Sequence, residues 1–192
     1  MIDRSRLGDT ISQKLESNRP YMDDIIMKGR VNYTLYDENG NVKQKGDGKG
    51  CNIVTTQGDR YFVDLLSDAG AATIKLMCLG TGTANVAKAD TWVSGYFSGN
   101  GSAAASSGTV SPVTNSGTTA NLQLVGTFGA GYATQNGITR VGYTNLNPSA
   151  DGNGTPNNST TFFVAHGTIT PTVNKGANDT LVVTWDITFL GA

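Results

Sequence analysis

The chain has few of the residues that build metal centres and nucleophilic catalytic sites. It contains one histidine and two cysteines, and only 15% of its 192 residues are charged. The cysteines, Cys51 and Cys78, are far apart in sequence, and with one histidine they do not make a four-ligand zinc site. A catalytic triad would have to use His166, and the sequence names no partners for it. We therefore expect a protein that is not an enzyme, without cofactor or metal.

The chain also lacks long apolar runs and a strong charge of one sign. No run of about 18 apolar residues occurs, so no transmembrane helix is predicted. The net charge is −1, and the basic residues do not form the cluster that nucleic-acid binding requires. The first residues lack the apolar region of a signal peptide. We expect synthesis in a host cytoplasm, with reduced cysteines, and neither nucleic acid nor a membrane as a partner.

Glycine, in contrast, is abundant, with 25 residues against an average near 7%. This composition favours short strands joined by turns. The strongest pattern lies in the run from Thr180 to Phe189, where Leu181, Val183, Trp185 and Ile187 alternate with more polar residues. Such period-two alternation is typical of a strand with one buried face. Similar signals predict strands at 31–36, 42–45, 74–79, 91–97, 122–128, 138–144 and 162–169, and helical spacing after a threonine cap predicts a helix at 56–67.

Together these elements predict an all-β fold, an antiparallel β-sandwich or jelly roll of about eight strands with one inserted helix. Residues 1–28 differ in composition and are predicted to form a partly helical N-terminal arm that docks on a neighbour. Residues 29–192 form the sandwich domain, with a Gly/Ser/Thr-rich loop at 98–121. The arm carries the apolar side chains that we expect to make contacts: Leu7, Ile11, Tyr21, Met22, Ile25 and Ile26.

Three loops resemble ligand sites at first. The oxygen-rich segments Asp37–Asn41 and Asp151–Gly154 could hold calcium, but neither matches an EF-hand loop, and turn chemistry explains both. The segment Gly80–Thr83 resembles a phosphate-binding loop, but it lacks the Lys-Ser/Thr pair. We interpret it as a tight exit from a strand, where glycine permits positive φ. No pair of carboxylates stands out for glycoside cleavage.

Three stretches, taken together, resemble a known family. They are Leu79-Gly80-Thr81-Gly82-Thr83 followed by Asp90-Thr91, the segment 130–134 leading into 138–142, and the segment 165–188. Their order and spacing are similar to those of structural proteins of tailed-bacteriophage particles, all-β modules that occur as tail, fibre or capsid-decorating components. The resemblance covers about residues 30–190.

The resemblance implies a virion component, made in the host cytoplasm and located in the particle. Within that class we expect a capsid decoration (cement) protein that stabilises the head by bridging capsid subunits. Its partners would be the major capsid protein or other virion proteins, and it would form a homo-oligomer in the particle. Contacts are expected from the arm and from the loop near Ser98–Thr119. The alternatives are a tail, head–tail junction or fibre/adhesin component, and, from another class, a carbohydrate-active enzyme on a β-sandwich.

Overall fold

The computed structural model describes residues 26–48, 52–67, 76–97, 102–106, 119–144 and 163–190. These ranges hold nine strands and one helix. In chain order they are β1 (Ile26–Tyr36), β2 (Val42–Gly48), β3 (Asn52–Val54), α1 (Thr56–Leu66), β4 (Leu76–Gly80), β5 (Ser102–Ser106), β6 (Thr119–Phe128), β7 (Gln135–Thr144), β8 (Phe163–Lys175) and β9 (Thr180–Leu190). Within these ranges no helix is long and apolar enough to cross a membrane.

The strands form two antiparallel sheets that pack face to face. The front sheet has the order β2-β1-β9-β6 and the back sheet the order β4-β7-β8-β3. Strand β5 joins the sheets, because it pairs with β6 on one side and with β4 on the other. The predicted all-β sandwich with one inserted helix is confirmed.

The core lies between the sheets and is centred on β9. This strand pairs with β1 along its whole length and with β6 on its other side. Its side chains alternate as the sequence predicts, and Leu181, Val183 and Trp185 are fully buried. The Trp185 ring meets Tyr143 of β7 edge-on, with centroids 5.2 Å apart and planes at 88°. Burial of each such side chain contributes roughly 2–3 kcal/mol of hydrophobic stabilisation, and this aromatic pair fixes how the sheets face one another.

The helix α1 begins at a threonine cap, as its sequence predicts. The Thr55 hydroxyl accepts the amide proton of Gly58 at 3.0 Å, which satisfies one of the free N–H groups of the first turn. The same hydroxyl donates to the Phe163 carbonyl of β8. Tyr61 is buried and meets Phe62 edge-on. The cap and one face of the helix therefore hold it against the back sheet.

Three predictions about the chain's organisation need correction. Residues 91–97 are not a strand; apart from a single bridge between Tyr96 and Gly80, they belong to a loop. The stretch 98–121 is not one loop, because it contains β5 and the first residues of β6. Its small residues give no alternating pattern, and the pairing uses backbone groups that every residue has.

The third correction concerns the N-terminal arm. Strand β1 begins at Ile26, which pairs with Leu190, five residues before the predicted start at Val31. Ile26 therefore belongs to the sandwich and not to the arm. The other five arm residues lie outside the described part of the chain: Leu7, Ile11, Tyr21, Met22 and Ile25.

Two buried tyrosines provide a matched test of the core. The Tyr143 hydroxyl is buried without a hydrogen-bond partner, and burial raises its pKa above the usual value. The Tyr33 hydroxyl donates to the Pro171 carbonyl at 2.7 Å and accepts from Gln44 at 2.8 Å. We expect Tyr143→Phe to leave the free energy of unfolding unchanged or to raise it by about 1 kcal/mol. Tyr33→Phe should lower it by about 1 kcal/mol or more.

Urea unfolding of the two variants and the parent chain measures both changes. Equal destabilisation by the two substitutions would contradict this account of the Tyr143 hydroxyl.

Candidate functional site

The outer face of the back sheet is covered by residues 81–97, which we call the strap. The strap leaves β4 and returns to it, with Thr81 and Gly82 donating to the carbonyls of Gly95 and Ser94, both at 3.0 Å. Glycines in the sheet make room for it. A Cβ on Gly142 would lie 2.3 Å from Val93 of the strap, closer than any van der Waals contact. The sheet and the strap thus share one small apolar cluster, in which Val93 packs with Cys78 and Phe163.

Polar contacts anchor the rest of the strap. The Thr139 hydroxyl donates to the Gly82 carbonyl at 2.7 Å. The Thr56 amide at the start of α1 donates to the Lys88 carbonyl at 2.9 Å, and the Lys88 ammonium lies 2.6 Å from the Asp59 carboxylate. The strap is therefore tied to both the back sheet and the helix.

The side chain of Arg140 lies beneath the strap. Its guanidinium donates to the Thr168 hydroxyl at 2.6 Å and to the Ala84 carbonyl, while its Nε atom is buried without a partner. A buried guanidinium is stabilised only by the acceptors it finds. One of the two acceptors of Arg140 is thus on β8 and the other is on the strap, so Arg140 links the strap to the back sheet.

His166, the one candidate catalytic histidine, also holds the strap. The ring is 1% exposed, and its Nε2 lies 3.2 Å from the Ala87 carbonyl and 3.3 Å from the Asp90 carboxylate. Burial lowers its pKa; Ala87 and Asp90 oppose that shift, and Arg140 adds to it. Among the described residues, no hydroxyl or thiol is hydrogen-bonded to the ring. The geometry is that of a structural histidine.

Cys78 is buried in the same layer, as the sequence predicts. Its thiol is fully buried and lies 3.7 Å from the Gly142 carbonyl. Burial raises the pKa of the thiol to about 12, so it remains protonated and unreactive at neutral pH. Cys51 lies outside the described residues.

The first oxygen-rich loop is explained by its own turn. One carboxylate oxygen of Asp37 accepts the amides of Asn39 and Asn41 at 2.9 and 2.8 Å, and the other accepts the Asn41 side chain at 3.1 Å. These bonds lower the pKa of Asp37, and Gly40 takes the positive φ that the turn requires,. Within the described ranges, no three acidic, histidine or cysteine side chains are grouped to hold a metal. The segment Asp151–Gly154 lies outside those ranges.

At the same end of the sandwich, two turns enclose a shallow groove of about 360 Å³, which we call the hairpin groove. One wall is the turn 37–39 with Lys43, and the other is the turn 176–179. The Lys43 ammonium lies 2.8 Å from the buried Asp179 carboxylate, and this hydrogen-bonded pair lowers the pKa of Asp179. Sequence reasoning did not find this pair, because its members are 136 residues apart.

A buried lysine lies behind the groove. The Lys175 ammonium is almost fully buried and donates to the Gly129 carbonyl at 2.9 Å. Burial lowers its pKa, and the charge of Asp179 opposes that shift. The Gly131 amide donates to the Ala177 carbonyl at 2.7 Å. These bonds hold the turn 129–132 against the turn 176–179 and fix the shape of the groove.

The outer face of the front sheet, which we call the front face, is half-exposed. Side chains from three of its strands are linked across it: the Asp186 carboxylate accepts from Asn32 at 3.3 Å and from Gln123 at 2.7 Å. Near β2, Arg30 lies 3.5 Å from Asp47. Most of the remaining surface is threonine and valine: Thr34, Val125, Thr127, Thr180, Val182, Thr184 and Thr188. The face is a pre-ordered polar surface with a β-branched centre.

The stretches that carry the family resemblance meet in two places in the fold. The segment 79–83 meets the strand 138–142, and Asp90 of the strap meets His166 of the segment 165–188. The turn 130–134 meets the turn 174–179 beside the hairpin groove. The interaction residues assigned to the arm fall outside the described ranges, apart from the backbone of Ile26. Compared with protein-family models, with curated proteins and with solved structures, the chain matches none.

The glycine beneath the strap gives a direct test of its packing. Gly142→Ala places a methyl group 2.3 Å from Val93 and 2.5 Å from Phe163. We expect the free energy of unfolding to fall by about 1–3 kcal/mol through overpacking. The control is Gly129→Ala, whose Cβ meets nothing within 4 Å, with a change within about 0.5 kcal/mol. Urea unfolding measures the free energy of unfolding of both variants. Similar values would contradict this account, because they would mean that the strap moves aside at little cost.

Stability should also depend on pH through His166. Its pKa is lowered from 6.5 in the folded chain, so the unfolded chain binds this proton more tightly. Above pH 6.5 the ring is neutral in both states and the effect vanishes. As the pH falls below 6.5, the free energy of unfolding should decrease by at most about 1.4 kcal/mol per pH unit.

The measurement is urea unfolding between pH 5 and 8 on the parent chain and on His166→Gln. His166 is the single histidine of the chain, so the slope below pH 6.5 should be much smaller in the variant. An unchanged slope would assign the pH dependence to other groups.

Proposed function

We propose that this chain is a structural protein of a tailed-phage particle and that it acts as a capsid decoration protein, stabilising the head by bridging capsid subunits. The observation that carries the proposal is the front face. It is a broad sheet surface on which Asn32, Gln123 and Asp186 are already hydrogen-bonded to one another, and most of its other side chains are short threonines and valines. Docking such a surface immobilises few side chains, so little conformational entropy opposes binding.

The size of the front face decides how it can work. The four strands are 7 to 11 residues long, and at about 4.8 Å between strands and about 3.3 Å per residue they cover roughly 500–600 Å². A stable protein–protein interface needs about 800 Å² on each partner. The front face alone therefore binds weakly, and bridging requires a second contact on the same molecule. The apolar residues of the segment 1–25 supply it in this proposal, and repeated copies on one capsid add avidity.

The family resemblance supports the same assignment, because decoration proteins are among the all-β virion modules that it implies. The strap supports it indirectly. It ties the outer face of the back sheet to the helix and leaves the front face as the open surface of the sandwich among the described elements. A rigid body with one open face suits a protein that works by contact.

The experiment uses purified heads that lack the protein, titrated with the full chain. We expect the chain to saturate the heads at hundreds of copies per particle and to raise the temperature at which they release their genome. The variant Thr184→Arg, at the centre of the front face, should lower the affinity at least about tenfold. The control is Thr91→Arg, at an exposed position of the strap, which should bind normally.

A second variant tests the arm. Deletion of residues 1–25 removes the arm and leaves β1 intact from Ile26. We expect it to bind heads but to lose most of the heat protection. Parent-like binding and protection by both this variant and Thr184→Arg would refute the bridging mechanism. Saturation at about three to twelve copies, the number of a closed ring or fibre, would instead identify a tail or head–tail junction component.

A further inference from the structure

The hairpin groove has the dimensions of a small-ligand site. Its volume of about 360 Å³ lies at the lower end of the 300–1,000 Å³ typical of such sites. Both walls are fixed: the Asp37 carboxylate closes one turn, and the Gly131 amide braces the other through Ala177. A site that keeps its shape without a ligand avoids the entropy that ordering a loop would cost.

Most of the carboxylate oxygens in the groove are already occupied. Both oxygens of Asp37 accept bonds within its own turn. Both oxygens of Asp179 accept from Lys43, and one also accepts the Gly176 amide. A metal ion would have to displace these bonds, and the described residues include no group of three acids to hold it.

The groups that remain open along the walls are both donors and acceptors. Glu38 accepts the Asn178 side chain through one oxygen at 3.1 Å and keeps the other. Among the described residues, the side-chain oxygen of Asn178 and the side-chain amide group of Asn39 make no hydrogen bond. Lys43 uses two of its three N–H groups on Asp179,. The groups without a partner therefore include both hydrogen-bond donors and acceptors, and they lie close to one another.

This mixture selects one class of ligand. An anion would face the carboxylates of Asp37, Glu38 and Asp179. A basic side chain offers only donors, and its charge would lie beside Lys43. An apolar molecule would leave polar groups without partners. A hydroxyl group both donates and accepts, so a neutral polyhydroxylated ring satisfies all the open groups.

An exposed aromatic ring lies on the neighbouring turn. Tyr132 is 54% exposed and follows Gly131, whose amide binds the groove wall at Ala177. Tyrosine combines an apolar ring face with a polar tip, which matches the mixed surface of a sugar.

We propose that the hairpin groove binds a saccharide, with Glu38 and Asn39 as its principal hydrogen-bonding residues. The site is independent of the front face and does not rest on the location of the protein in a particle. It adds a carbohydrate-binding surface to a chain whose other open surface is suited to protein contact.

The test is a titration of the full chain, labelled with nitrogen-15, followed by amide chemical shifts. The probes are the methyl α-glycosides of glucose, galactose and mannose, and N-acetylglucosamine. Each is added to about 100 mM, which covers the millimolar dissociation constants expected of a single sugar. We expect at least one probe to cause saturable shifts confined to residues 37–43 and 176–179. Glycerol, a polyol without a ring, serves as the ligand control.

Two variants and a matched control complete the design. Glu38→Ala and Asn39→Ala should each weaken the binding at least about fivefold, because each removes an open partner of the sugar hydroxyls. Asn85→Ala, at an exposed strap position, should bind like the parent. Unchanged amide spectra away from the groove verify that the variants fold. No saturable shift with any probe, equal shifts with glycerol, or unaltered binding by both groove variants would overturn the proposal; none of these outcomes bears on capsid binding.

Discussion

The structure depends on the burial of alternate side chains along one central strand. Strand β9 pairs with β1 on one side and with β6 on the other, and its buried row meets the back sheet through Trp185 and Tyr143. The alternate residues of the same strand point outward and form the centre of the front face. One alternating pattern thus sets both the core and the open surface, because a slip of one residue would exchange the two.

The parts of the fold that a local pattern specifies could be predicted from the sequence. The strand β9 shows strict alternation, and α1 combines a threonine cap with helical spacing, so both were found close to their true bounds. Strand β5 was missed because its Ala/Ser sequence has no alternation, and its place is set by two neighbours that pair with its backbone. Only the part of the strap at 91–97 is predicted as a strand, because Trp92 and Val93 are strand-forming residues. The glycines of the back sheet, distant in sequence, show why a loop packs there.

The same distinction applies to the candidate sites. The Asp37 turn was correctly attributed to turn chemistry, because all its partners lie within four residues. His166 could be recognised as the only histidine, but its partners Ala87 and Asp90 come from the strap. The Lys43–Asp179 pair and the buried ammonium of Lys175 gave no sequence signal, since lysine and aspartate are ordinary surface residues until the fold brings two turns together. Long-range polar contacts of this kind are decided by topology and not by local propensity.

The pairing of β1 with β9 has a mechanical consequence. Ile26 and Leu190 are direct partners in the ladder, so the first and last strands of the described chain begin and end side by side at one end of the sandwich. Tension applied between these two residues would break the backbone hydrogen bonds between β1 and β9 one after another, starting at Ile26 and Leu190. It would not load all of these bonds at once in shear. Force applied at Ile26 and Leu190 therefore meets the resistance of one strand pair at a time, and the adjacency of these two positions is the geometry that lets a sandwich be carried as an insertion in another chain.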